Sequence, residues 1–316
     1  MIGTEGATNA ERGRGIVVRG VRHVYKGGTE ALKGVDLEVG PGLFGLLGPN
    51  GAGKSTLMRI LCTLIVPTEG RAEVSGHDVV AERRAVRAAI GYLPQEFGAW
   101  RLHRVEEVLQ TLALLSGLDD KAGRKKRVDE VLEQVGLAEV ADRKVKALSG
   151  GMVRRLGVAQ ALVHEPPVLI VDEPTVGLDP EERLRFRQLM ARLGEDRVIL
   201  LSTHIVADLG SGCRDLAIID RGEIVFRGAP SKLVENARGK VFEKVVAVDA
   251  AELADPGFEI VSRTRDGVGI RIRGVAHDGG IPAGGTAVES CSLEEAYLAF
   301  MAARGRAVEA HAEEEA

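Results

Sequence analysis

Gly48-Pro49-Asn50-Gly51-Ala52-Gly53-Lys54-Ser55-Thr56 is the stretch that decides the reading of this chain. It fits the spacing G-x-x-x-x-G-K-[ST], with an apolar strand pattern before it (residues 43–47) and a helical pattern after it. Glycines at these positions let successive backbone N–H groups converge on phosphate oxygens without Cβ clashes. The N-terminus of the following helix adds partial positive charge. Lys54 is placed to reach β- and γ-phosphates, and the Ser55 hydroxyl to hold Mg²⁺. A chance glycine turn would need neither the strand nor the helix that flank it.

Residues 168–173, Val-Leu-Ile-Val-Asp-Glu, read as a buried parallel strand closed by two carboxylates. If that strand ends beside the phosphate loop, Asp172 falls on the Mg²⁺ shell. Glu173 then polarises the attacking water as a general base. Two acids after a strand also suit a helix N-terminus or a solvated turn, but the phosphate loop favours the metal reading. A guanine site carries an Asn-Lys-x-Asp segment, and none of Asn9, Asn50 and Asn236 sits in one. Tyr25 is either a stacking platform for adenine or a partly buried surface tyrosine.

The 316 residues suffice for one large domain with a small one, and 45% hydrophobic with 28% charged is an ordinary globular balance. A net charge of -4 gives no global attraction for nucleic acid. No apolar run approaches the ~18 residues of a membrane span, and residues 1–15 lack the apolar core of a secretory signal. Cys62, Cys213 and Cys291 show neither metal spacing nor a disulfide framework, which reads as a reduced, cytoplasmic protein.

Strands are expected over 16–18, 37–39, 43–47, 168–171 and 198–202, with a hairpin over 216–220 and 223–227. Helices are expected from Gly53 to about Leu64, within 104–145, after Ser149 and over 181–193. The basic run Arg124-Lys125-Lys126-Arg127 reads as the solvated face of a helix, with contact to membrane lipid or nucleic acid as the alternative. After about Gly239, short alternating segments (258–261, 268–273) and a final helix (293–301) suggest a small α+β appendix. The domains expected are a flexible tail over 1–14, a main domain over 15–238, an extension over 239–304 and an acidic disordered tail over 305–316.

Residues 148–152, Leu-Ser-Gly-Gly-Met, precede an amphipathic helical pattern (Val153, Leu156, Val158, Ala159, Leu162). They resemble the signature of the ATP-binding cassette (ABC) ATPases, and the rest of residues 16–238 agrees in order. By that resemblance Tyr25 matches the adenine-stacking position and residues 48–56 match Walker A. Gln95 looks like the Q-loop glutamine, which senses Mg²⁺ and the water. Residues 168–173 look like Walker B with its catalytic glutamate. Gly177-Leu178-Asp179-Pro180 looks like the D-loop, with Asp179 on the partner subunit, and His204 looks like the switch histidine that contacts the γ-phosphate. Met152 departs from the glutamine that many members carry, as in drug- and peptide-export ATPases. The resemblance implies an α/β fold: a P-loop NTPase core with a mostly parallel sheet, an N-terminal antiparallel β subdomain, a helical signature subdomain at about 96–165 and, here, a small C-terminal α+β extension. It also implies a head-to-tail dimer in which ATP on one Walker A face meets Ser149, Gly150 and Gly151 of the partner subunit.

The loop after Gln95, residues 96–102, holds Phe97 and the lone Trp100, which suit the family's docking site for the membrane subunit; local burial is the alternative. The implied function is ATP hydrolysis that powers export of a small molecule, drug or peptide through a separate transmembrane permease. The second cassette would be another copy or a paralogue, membrane contact would come only through the permease on the inner face of the cell membrane, and no nucleic acid is expected. The extension, with Ser292-Leu293-Glu294-Glu295, looks like that of daunorubicin-resistance export ATPases. The alternatives are a soluble ABC ATPase acting on nucleic acid or ribosomes, and a nucleotide-sensing module without turnover. The first lacks its usual coiled coils or second cassette here; Glu173 argues against the second.

Overall fold

The computed structural model describes residues 15–305, apart from 99, 211, 248–257, 268 and 278–279. The tail expected over 1–14, and that over 305–316 beyond its first residue, lie outside the described residues. By contacts the chain divides between Arg227 and Gly228.

In the first unit, β1 (Ile16–Val24) and β2 (Glu30–Val39) pair antiparallel from Ile16↔Val39 to Val24↔Glu30. β3 (Gly42–Leu47) leaves for a second sheet, and β4 (Glu69–Val74) and β5 (His77–Asp78) return to give the order β2-β1-β4-β5. The second sheet has six strands in the order β10-β9-β3-β8-β7-β6. They are β6 (Ile90–Leu93), β7 (Val168–Asp172), β8 (Val198–Thr203), β9 (Cys213–Asp220) and β10 (Glu223–Gly228), with β3 in the middle. β9, β3, β8, β7 and β6 run parallel. β3, β7 and β8 are buried along their whole lengths, as parallel strands covered on both faces must be, and their sequences are correspondingly unbroken in apolar character.

Helix α1 (Lys54–Leu61) follows the glycine loop and buries Leu57, Met58, Ile60 and Leu61, each contributing on the order of 1.5–3 kcal/mol by removal from water. α2 (Arg83–Ala89) precedes β6. α3 (Val105–Leu115), α4 (Lys121–Gln134) and α5 (Gly150–Leu162) form the helical region, and α6 (Pro180–Leu193) follows β7. Among the described residues no helix is long and apolar enough to cross a membrane. The three cysteines are free.

Arg127 departs from the expectation of a solvated basic face. Lys125 and Lys126 do point outward, to Asp129 and Glu130. Arg127 is buried, and its guanidinium donates to Val163 O (3.1 Å) and Leu162 O (2.7 Å). Both carbonyls lie at the C-terminal end of α5, where Leu162 O also accepts from Glu165 N at 3.0 Å, and a basic side chain there satisfies acceptors that the helix end exposes. α4 is thereby tied to the signature helix.

The second unit contains α7 (Pro230–Asn236), the sheet β12 (Phe258–Asp266)-β13 (Gly269–Ala276)-β11 (Val241–Ala247)-β14 (Thr286–Ala287) and α8 (Leu293–Ala302). Ser292 caps α8 reciprocally with Glu295. α7 packs on α8, which places it in this unit by contacts.

Candidate functional site

Three strand ends converge because β3 pairs with β8 from Gly42↔Val198 to Leu47↔Thr203, and β7 with β8 up to Asp172↔Ser202. β3 opens into the glycine loop, β7 delivers Asp172 and Glu173, and β8 delivers His204. Ligands of open parallel sheets sit at this carboxyl edge. The cleft there has a volume of about 610 Å³ and is lined by Tyr25, residues 50–56, Gln95, Glu173 and His204.

Gly51 (φ 75°) and Gly53 (φ 111°) hold left-handed conformations, which glycine adopts without Cβ strain. A Cβ on Gly53 would also stand 2.6 Å from Ala31 O. Gly53 is thus required by its close approach to the Ala31 backbone as well as by its φ. The Lys54 ammonium, 4% exposed, lies back across the loop, donating to Gly48 O (2.6 Å) and Pro49 O (3.0 Å) and standing 3.0 Å from Glu173 Oε1. Tyr25 OH lies 3.0 Å from Thr56 Oγ1, and the His23 ring meets the tyrosine ring edge-on at 4.7 Å. Tyr25 lines the cleft and is 36% exposed, so it is not part of the core.

Glu173 gathers the other polar groups. Its Oε2 lies 3.1 Å from His204 Nδ1 and 3.5 Å from Gln95 Nε2. The His204 hydrogen bond, aided by Lys54, outweighs burial and holds the carboxyl at about 2, against an ordinary 4.5. Its backbone is left-handed (φ 43°), which costs a residue with a Cβ on the order of 1–3 kcal/mol. Ser202 holds it there: Glu173 N donates both to Ser202 O and to Ser202 Oγ at 3.1 Å. Ser202 Oγ in turn donates to Asp172 Oδ1 at 2.5 Å. Ser55, Asp172 and Gln95 offer only oxygen ligands at this edge, the donor set of a hard divalent cation.

The structure brings Tyr25, residues 48–56, Gln95, Asp172, Glu173 and His204 together. It does not bring Ser149, Gly150, Gly151 or Asp179 into that cleft. Ser149 Oγ caps α5 by accepting from Met152 N (3.2 Å), and Asp179 caps α6 by accepting from Glu182 N (2.8 Å). Gly151 packs directly on Glu182, where a Cβ would fall 2.1 Å from Oε2. Glu182 is clamped by Arg155 (3.4 Å) and Arg185 (3.1 Å), so it cannot yield without losing both pairs. Gly151→Ala is expected to lower stability by about 1–3 kcal/mol through overpacking. Adding Glu182→Ala should restore part of that loss in thermal melts, and a double variant no more stable than Gly151→Ala alone would refute the contact.

Sequence reasoning missed Ser202, Glu182, Thr175 and Asp208. Their residue types are common on surfaces, and only the fold places them against the motifs. Phe97 and Trp100 separate in the structure. Phe97 is half-buried against the signature helix, since a Cβ on Gly157 would stand 3.3 Å from its ring, whereas Trp100 is 44% exposed and Leu102 72% exposed.

A parallel sheet whose edge carries a glycine loop, a lysine and an Asp-Glu pair defines a phosphate-loop nucleotide hydrolase. The family model described as ABC transporter matches residues 32–176. The daunorubicin resistance ATP-binding protein DrrA3 of Streptomyces coeruleorubidus is 39% identical over 245 residues, 75% of this chain and 75% of its own. The Nod factor export ATP-binding protein I of Cupriavidus metallidurans is 37% identical over 251 residues, 79% of this chain and 82% of its own. A solved dimeric ATP-binding cassette in a post-hydrolysis state, bound to ADP and phosphate, is 26% identical with a TM-score of 0.61, covering 68% of this chain and 98% of its own. The chain belongs to the ABC transporter family of ATP-binding proteins and is an ATPase of that family.

Proposed function

We propose that this chain is the energy-coupling subunit of an exporter. It binds Mg²⁺–ATP, dimerises head to tail with a second copy or a paralogue, and hydrolyses the ATP. Hydrolysis drives a small molecule, drug or peptide through a separate transmembrane permease on the cytoplasmic side. The observation that carries this reading is the divided site. Lys54, Gln95, Glu173 and His204 gather in one cleft, while Ser149 and Gly151 stand outside it at the N-terminus of α5, a ready anion site for a neighbour's γ-phosphate. Export is supported by the two relatives named for drug resistance and Nod factor export, and the unit from Gly228 is read as the extension of that group.

In this account the β- and γ-phosphates draw Lys54 away from Glu173, and Tyr25 stacks on the adenine. Glu173, released from its ammonium partner, orients a water whose oxygen attacks the γ-phosphorus. The bond from γ-phosphorus to the β–γ bridging oxygen breaks, and the water's proton passes to Glu173. His204 holds the carboxylate and meets the γ-phosphate. Ser55 and Asp172, with Gln95 beside them, would hold Mg²⁺, which would supply positive charge to the phosphates.

The partner side is tested by pull-down with the permease that co-purifies from membranes. Trp100→Ala with Leu102→Ala removes two exposed apolar side chains, and each buried hot-spot residue of an interface contributes about 2 kcal/mol or more. Binding is expected to fall at least about ten-fold. Undiminished binding would refute this docking loop, and recovery of ribosomes or nucleic acid in place of a membrane protein would overturn the exporter reading.

A further inference from the structure

Asp208 lies in the short 3-10 turn Val206–Leu209 after His204, with its side chain fully buried. A buried carboxylate costs several kcal/mol unless it is paired and hydrogen-bonded, so its partners indicate what the fold gains from it. Oδ2 accepts from the hydroxyl of Thr175 and, at 3.0 Å, from that of Thr203. Thr175 stands two residues after Glu173, and Thr203 immediately precedes His204. Thr203 Oγ1 also accepts from Ile205 N at 2.9 Å, turning the backbone around His204. A continuous chain of hydrogen bonds therefore runs from the loop behind Glu173, through one carboxylate oxygen, to both neighbours of His204.

The other oxygen, Oδ1, faces Arg183 Nε of α6 at 3.9 Å, and neither atom has a hydrogen-bond partner among the described residues. Arg187, one turn further along α6, donates to Ala207 O at 2.7 Å and fixes the turn that carries Asp208. The carboxylate is thus locked to α6 by charge on one side and to the two loops by hydroxyls on the other. Both loops end on side chains that must meet: Glu173 Oε2 and His204 Nδ1 are 3.1 Å apart.

We infer that Asp208 is a positioning residue for ATP hydrolysis, which sets the Glu173–His204 contact by gripping the hydroxyls of Thr175 and Thr203. The inference rests on the roles proposed above for Glu173 and His204. It concerns alignment rather than nucleotide affinity, since Asp208 does not line the ATP cleft.

Steady-state ATPase kinetics of the full chain, with direct ATP binding and melting temperature, test it. Asp208→Ala is expected to lower kcat at least about ten-fold, because a misplacement of about 1 Å at a catalytic group costs up to about 10²-fold, with KM and ATP affinity within about two-fold of wild type. Asp208→Asn, whose amide oxygen still accepts both hydroxyls, should recover most of kcat. Thr175→Val should lower kcat alone yet add nothing on top of Asp208→Ala, since both remove the same link. If Asp208→Ala does not fold, Thr175→Val and Thr203→Val, each lacking one hydroxyl, carry the test. Wild-type kcat in these variants while Glu173→Gln is inactive overturns the inference alone. So does a loss of kcat and ATP affinity in step with lost folded protein, or an Asp208→Asn variant no better than Asp208→Ala. Full turnover in Glu173→Gln would instead remove the site reading beneath it.

Discussion

Lys54→Ala is expected to abolish ATP turnover, with a loss of at least about 10²–10³-fold, the cost of removing one preorganised donor from developing phosphate charge. The Lys54 ammonium has three acceptors, two loop carbonyls and the Glu173 carboxylate, and it is 4% exposed. A buried ammonium so placed is a point charge waiting beside a cradle of N–H groups, and phosphate oxygens are better partners for it than carbonyls. The substitution also leaves Glu173 with its His204 hydrogen bond but without its ammonium partner, so its carboxyl rises from about 2. Turnover and equilibrium ATP binding on the purified chain check this, and wild-type turnover in Lys54→Ala would refute the assignment of the loop.

Glu173→Gln should produce the second large effect and separate two properties that Lys54→Ala removes together. Loss of a general base costs about 10²–10⁴-fold, and we expect turnover to fall by that amount. ATP affinity should be retained or improved: the variant removes a negative charge from the phosphate cleft and frees Lys54 from its 3.0 Å ion pair. Glutamine keeps the size and the hydrogen-bonding reach of the side chain, so the left-handed backbone held by Ser202 is undisturbed. Isothermal binding and phosphate-release assays on the same sample check both halves. Loss of ATP binding would contradict the role, and so would turnover within a few-fold of wild type.

The glycine loop and the strand before it were legible because local backbone demands fix their residue types. Gly51 and Gly53 must be left-handed, and β3 must be apolar on both faces. The long helices were legible from periodicity: of the apolar faces expected, Val105, Val108 and Leu109 on α3 are buried and Leu112 partly so, and Val128, Val131 and Leu132 on α4 are buried, as is Val135 just past its end. β4 and α2 were not, since Glu-Gly-Arg-Ala-Glu-Val buries two residues and Arg-Arg-Ala-Val-Arg-Ala-Ala buries one. Patterns that short carry no period.

The same limit explains the polar residues. Arg127 reads as one of four basic neighbours, and its burial follows from where α5 ends. Asp208 and Ser202 acquire meaning only when β7 and β8 lie side by side. Trp100 and Phe97 share a loop, yet one faces outward and the other packs on Gly157, a division that the position of the signature helix decides. Charge and aromatic content identified these residues, and tertiary contact sorted them.

The divided site is the central claim, and the molar mass of Glu173→Gln in solution tests it most directly. Light scattering is measured with and without Mg²⁺–ATP. The account predicts a monomer that becomes a dimer when Mg²⁺–ATP is added, with Ser149→Ala with Gly151→Ala weakening the shift. A chain that binds ATP and stays monomeric, both alone and with its permease and any co-purified cassette present, would contradict it.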